Sequence, residues 1–146
     1  MHLTTTENPK ETKKIAGEVA KKLIGRKSGK SLVIALEGDL GVGKTTFIKG
    51  FSKTLGFREK VLSPTFVLIH KHKILMKQFK NLYHIDAYRL NSGKELVKLG
   101  IKEIFTDPEN IVLIEWADRV KKIIPKNATW IHFKHSYKNR REIKIK

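Results

Sequence analysis

The amino-acid sequence predicts an α/β fold: one domain over residues 1–146, with a mixed, mostly parallel sheet, flanking helices and an antiparallel edge. Three observations carry this. Short apolar runs of strand length at 32–36, 82–85 and 111–114 alternate with longer segments of helical period, as expected for strands buried on both faces. A glycine-rich stretch, 38–45, lies between the first such run and a helical segment. Near the carboxyl end two apolar runs flank a polar one, which predicts a closing hairpin.

Taken in order, Asn8 caps a first helix, Pro9 fits its first position, and Glu11 is placed to reach back to the cap. Ile15, Val19 and Leu23, with Ala16, Ala20 and Ile24, form one apolar face, and Gly25 ends it. Ser31 to Glu37 reads as a buried strand. Lys44 to Leu55 reads as a helix with Phe47, Ile48, Phe51 and Leu55 on one side and Gly56 as its stop. Ser63-Pro64-Thr65-Phe66 breaks regularity before the strand-like Val67-Leu68-Ile69. Asn81 to Ile85 and Ile111 to Ile114 are two further buried strands. Between them, Ser92-Gly93-Lys94-Glu95 is a second capping box, opening a short helix through Leu96 and Leu99. Trp130 to Phe133 and Ile143 to Ile145 form the hairpin around Lys138-Asn139-Arg140-Arg141.

Composition bounds the function. The chain has no cysteine, hence no disulfide partner and no thiolate metal site. No apolar run approaches the roughly 18 residues of a membrane span, and the amino terminus lacks a secretory layout, so a cytoplasmic protein without a membrane partner is expected. The formal charge of +17 attracts polyanions, nucleic acid first. Of the 31 basic residues 25 are lysine, spread over the whole chain, so lysine drift in an AT-rich genome explains the same number. Both readings stand at this level.

The chemistry lies in Gly38-Asp39-Leu40-Gly41-Val42-Gly43-Lys44-Thr45, a G-x4-G-K-T pattern after a strand and opening a helix. Glycines let backbone N–H groups approach phosphate oxygens with no Cβ in the way, and the helix start adds partial positive charge. Lys44 is expected to reach the β- and γ-phosphates of ATP, and the Thr45 hydroxyl to ligate Mg2+. This makes the domain P-loop NTPase-like. Such a loop needs carboxylates to hold the metal and orient water. Asp86 and Glu115 each follow an apolar strand, at the sheet edge where open α/β folds bind ligands.

Four stretches in register, Gly-Asp-Leu-Gly-Val-Gly-Lys-Thr-Thr-Phe (38–47), Ser-Pro-Thr-Phe (63–66), His-Ile-Asp-Ala-Tyr-Arg-Leu (84–90) and Ile-Glu-Trp (114–116), resemble the bacterial TsaE family, formerly YjeE. The resemblance covers nearly the whole chain. It implies the ATPase component of the system that forms N6-threonylcarbamoyladenosine (t6A) at adenosine 37 of tRNAs reading ANN codons, acting with a TsaB–TsaD complex and meeting tRNA through it. It implies that Lys44, Thr45 and the adjoining Thr46 belong to the nucleotide loop, with Thr65 in a switch-like loop near the γ-phosphate. Asp86 becomes the metal-side aspartate and Glu115 the magnesium-linked glutamate. The family's Gly-Arg near the carboxyl end appears as Asn139-Arg140, which implies that Arg140 faces the nucleotide, though without the glycine. Ala117 stands where members often have Pro.

Two other functions fit the residues without the resemblance: a small P-loop kinase acting on a nucleotide or metabolite, and a basic RNA-binding module whose loop merely holds phosphate. Elsewhere, His70-x-His72 shares one strand face and offers either two zinc ligands or a solvated strand. Trp116 and Trp130 offer base stacking or packing.

Overall fold

The first helix starts where its cap places it. In the computed structural model, which describes residues 2–26, 29–38, 43–57 and 68–146, α1 spans Pro9–Ile24 and the Asn8 side chain accepts from the Glu11 N–H at 2.9 Å. The Glu11 carboxylate reaches back one residue past the cap, accepting from the Glu7 N–H at 2.7 Å. The other elements are β1 (His2–Thr6), β2 (Leu32–Glu37), α2 (Lys44–Thr54), β3 (Ile69–Lys73), β4 (Asn81–Asp86), α3 (Lys94–Lys98), α4 (Ile101–Thr106), β5 (Asn110–Glu115), β6 (Thr129–His135) and β7 (Arg141–Ile145). A 3-10 segment, Ala117–Ile123, follows β5, and a shorter one, Tyr137–Asn139, makes the turn of the β6–β7 hairpin. At α3 the cap lies at Gly93, one residue later than the capping box predicts, and Ser92 Oγ accepts from the Lys94 N–H at 3.4 Å.

The seven strands form one sheet in the order β1-β7-β6-β2-β5-β4-β3. Its centre, β6-β2-β5-β4, is parallel. The sequence predicts one antiparallel edge; the structure has antiparallel pairing at both, β3 against β4 on one side and β7 and β1 beyond β6 on the other. Both extra edge strands lack an apolar run. β1 is His-Leu-Thr-Thr-Thr, held by backbone pairing to β7 and by threonine's fit to a pleated surface. β3 alternates histidine and lysine, and such charges keep an edge strand from recruiting another chain.

Alternation sorts the central strands onto two cores. Ile34 and Leu36 of β2, Leu82 of β4, Ile111 and Leu113 of β5 and Ile143 of β7 pack under α1 and α2. Val33, Ala35, Ile85, Val112 and Ile114 point the other way, under α3, α4 and the 3-10 segment, together with Leu96, Phe105 and Val120. The two long helices lie very close. A Cβ on Gly50 of α2 would sit 2.7 Å from the Lys13 carbonyl oxygen and 2.8 Å from Lys13 Cα on α1. No helix among the described residues is long and apolar enough to cross a membrane.

Candidate functional site

The parallel strands β2, β4 and β5 end at one edge of the sheet, and α2 begins there. Gly43 caps α2 with φ 93°, a left-handed backbone that a Cβ makes costly. Space is tight as well, because a Cβ there would lie 3.1 Å from Cδ and 3.3 Å from Nε of the Arg141 side chain. Lys44 follows as the first helical residue and is 5% exposed. Its ammonium donates to the Gly38 carbonyl and lies 3.4 Å from the centroid of the Trp116 ring. Thr45 is exposed and Thr46 half-buried on the same first turn, where backbone N–H groups have no acceptor inside the helix.

Parity brings the acids to the same side. Asp86 shares the alternation of Leu82, and Glu115 that of Ile111 and Leu113, so both belong to the α1–α2 face. They are also register partners, the last paired residues of β4 and β5, one position earlier than an acid just beyond each strand. Glu115 is 7% exposed and its Oε2 lies 2.7 Å from Nε2 of His84, itself 3% exposed. An ionised Glu115 only accepts, so Nε2 carries the proton and donates. Asp86 is half-buried, with Oδ1 accepting from the Tyr88 N–H at 3.0 Å. Burial pushes its carboxyl above the ordinary aspartate range, and the neighbouring Glu115 adds to this. The Tyr88 N–H, His84 and Lys44 pull the other way. Two carboxylates on adjacent strand ends, one desolvated, with a lysine ammonium near them, are a donor set suited to a hard divalent cation.

Immediately after Glu115 the chain turns through Trp116 at φ 56°, ψ 39°, an outlier for a bulky side chain. That strain lays the indole against Lys44. Tyr88 packs on the indole at 5.0 Å between centroids, and the Arg119 guanidinium lies 5.3 Å from each of the two rings. A family model described as "Threonylcarbamoyl adenosine biosynthesis protein TsaE" matches residues 6–143. The chain belongs to the TsaE family. It is 39% identical to the "tRNA threonylcarbamoyladenosine biosynthesis protein TsaE" of Bacillus subtilis over 94% of its own length and 80% of that protein's. With the protein of the same description from Rickettsia typhi it shares 34% identity over 100% and 94% of the two chains. The crystal structure of Bacillus subtilis YdiB superposes with a TM-score of 0.73 at 34% identity, covering 97% of this chain and 82% of that one. The role of the family is thus in t6A biosynthesis.

Of the residues that the TsaE resemblance singles out, the structure brings Gly38, Lys44, Asp86 and Glu115 to one edge of the sheet, with Gly43, Thr45 and Thr46 next to Lys44 at the start of α2. Asp39, Leu40, Gly41, Val42 and Thr65 lie outside the described residues. Arg140 is exposed and ion-paired with Glu7 at 3.2 Å, just before β7 begins. The arginine that reaches Gly43 is its neighbour Arg141, whose buried Nε has no hydrogen-bond partner among the described residues. Parity with the buried Ile143 was the signal for it. His84 was also missed; a polar residue inside an apolar buried strand, two before an acid, was its signal. His70 and His72 stack their rings at 6.3 Å, and His72 packs against Phe57 at 4.6 Å. No group of three metal-ligating side chains occurs among the described residues, and packing is the role seen for this pair. Trp130 packs against the second core.

Proposed function

We propose that this TsaE-family chain binds ATP and Mg2+ at the edge formed by Gly38, the start of α2, Asp86 and Glu115, and hydrolyses the ATP slowly as the accessory ATPase of a cytoplasmic TsaB–TsaD complex forming t6A. The observation that carries the reading is the register pairing of Asp86 with Glu115 on the face where Lys44 opens α2. The site fits the nucleotide on its own features: a left-handed glycine cap closely approached by Arg141, first-turn amides, a buried lysine and an Arg141 Nε without a hydrogen-bond partner among the described residues.

In this reading Lys44 and Arg141 bind the phosphates, and the Thr45 hydroxyl, Asp86 and Glu115 hold the cation. When bound, Mg2+ neutralises the charge that gathers on the phosphate oxygens. His84 fixes the orientation of the Glu115 carboxylate, which then positions water for attack as the bridging bond to the γ-phosphorus breaks. Trp116, held by Tyr88 and Arg119, covers Lys44 and excludes water from it. Hydrolysis without an acceptor separates this reading from a small kinase.

The test is calorimetry with ATP plus phosphate release, alone and with TsaB–TsaD. Lys44→Ala is expected to weaken ATP binding at least tenfold, from loss of a charge-assisted contact worth about 1.5–3 kcal/mol. Glu115→Ala is expected to lose hydrolysis more than binding. Partner capture should depend on whether ATP, ADP or neither is present, and Thr65→Ala should weaken that dependence. Wild-type ATP affinity in Lys44→Ala, or no phosphate release under any condition, overturns the reading.

A further inference from the structure

The basic charge is not evenly placed. The helical layer on one face of the sheet, residues 9–26 and 44–55, carries nine basic and two acidic side chains. Residues 92–109 and 116–124, which hold α3, α4 and the 3-10 segment on the other face, carry six basic and five acidic side chains. The net charge therefore differs between the two faces chiefly because the α1–α2 layer has few acids to offset its lysines. On the outer side of α1 and α2 the surplus lines an open groove of about 780 Å3, with Lys10, Lys13, Lys14 and Lys21 on one bank and Lys49 and Lys53 on the other. All six are exposed, and none is ion-paired with a described residue. Gly50 sets the spacing, since the backbone-to-backbone approach at Lys13 draws the two lysine rows to a single groove.

We infer that this groove binds the sugar–phosphate backbone of RNA. The rest of its lining is Glu11, Gly17, Glu18, Gly50 and Thr54, so no apolar or aromatic side chain is present to anchor a protein partner. Glu11 is engaged with the Glu7 N–H. Lysine ammoniums on flexible stems suit phosphates as point charges and carry no base specificity, so the groove holds and orients an RNA rather than reading it. That the RNA is tRNA rests on the t6A reading above; the phosphate chemistry does not.

The experiment is fluorescence anisotropy with an unmodified tRNA transcript and the full chain, without nucleotide, over a salt series. Two triple variants are compared, Lys13→Gln with Lys14→Gln and Lys49→Gln in the groove, and Lys94→Gln with Lys98→Gln and Lys102→Gln on the other face. Both remove the same charge, and none of the six positions belongs to the phosphate loop. The groove triple is expected to weaken binding at least tenfold and to flatten the log–log salt slope by about 2–3, while the control stays within about twofold of wild type. Equal losses in the two triples would mean a diffuse field and overturn the site. No loss in either overturns RNA binding there, and wild-type RNA affinity with lost TsaB–TsaD capture makes the groove a protein surface instead. ATP affinity, followed in parallel, should be unchanged in both triples, so failure of the ATPase reading leaves this result intact.

Discussion

Replacing His84 by Leu removes one hydrogen bond and leaves a nearly enclosed carboxylate behind. His84 Nε2 is the side-chain partner that Glu115 has among the described residues, at 2.7 Å, with the two residues 3% and 7% exposed. A buried hydrogen bond to a charged group contributes about 1.5–3 kcal/mol, and the cost falls at the upper end when the charge left behind is desolvated. For a chain of this size that corresponds to a fall of about 5–10 °C in Tm. Converting both residues to Leu removes the stranded charge together with its partner, so the double variant should recover most of the loss. Urea denaturation of wild type, His84→Leu, Glu115→Leu and the double variant then gives a coupling energy of about 1–3 kcal/mol. His84→Gln, which keeps a donor, should restore hydrolysis in part, whereas His84→Leu should lose turnover more than ATP affinity. Coupling below about 0.5 kcal/mol, or equal loss of affinity and turnover, would refute the claim that His84 orients Glu115.

Two further predictions follow from neighbouring geometry. Gly50→Ala gains about 1 kcal/mol of helix propensity but places a Cβ 2.7 Å from the Lys13 carbonyl, forcing α1 from α2 at about 1–3 kcal/mol, so urea melts should show net destabilisation. At Gly17 the obstacle is only Thr54 Oγ1, at 3.0 Å, and Gly17→Ala should stay within about 0.5 kcal/mol of wild type. Burial raises the Asp86 carboxyl above the ordinary aspartate range. A protonated Asp86 therefore contributes stability that is full below that range and is lost as pH rises through the raised value. In magnesium-free buffer the Tm of wild type relative to Asp86→Asn should fall across that window, and parallel profiles would contradict the burial argument.

Legibility followed the strength of the local signal. α1 and α2 were readable because cap, apolar period and terminal glycine agree at Asn8, Ile15 to Leu23 and Gly25, and again at Phe47 to Leu55 and Gly56. At the glycine stretch the start of α2 at Lys44 and its cap at Gly43 were readable, because lysine and glycine have strict positions in that pattern. β1 was not readable, because its pairing rests on backbone bonds to β7 and its side chains carry no apolar period, and the strand-like reading around Ile69 and His70-x-His72 did not reveal that β3 pairs antiparallel with β4. Arg141 shares the parity of Ile143 and Arg140 does not, but parity alone does not say that β7 extends back to Arg141. Which one turns toward Gly43 depends on where β7 begins, and that is set by Arg141 pairing with His135 and Thr6. The sequence offers Trp116 as a stacking or packing residue, but its left-handed backbone has no sequence signature.

The site itself depends on a register that apolar residues alone specify poorly. Leu82, Ile85, Ile111 and Ile114 are all buried, so sliding β4 along β5 would still leave hydrophobic side chains on both faces. Polar pairs at the two ends of the ladder remove that freedom. At the amino ends Asn81 stands opposite Asn110, with Nδ2 donating to Oδ1 at 2.9 Å, and Asn110 Nδ2 donates in turn to the Ile104 carbonyl at 3.0 Å. At the carboxyl ends Asp86 stands opposite Glu115, with His84 tied diagonally to the latter. A slip of one residue would break the asparagine pair, leave Asn110 Oδ1 without its donor and turn His84 from Glu115 toward the opposite face. The asparagines lie at the far end of the strands from Lys44, yet through this ladder they determine that the two carboxylates meet beside it.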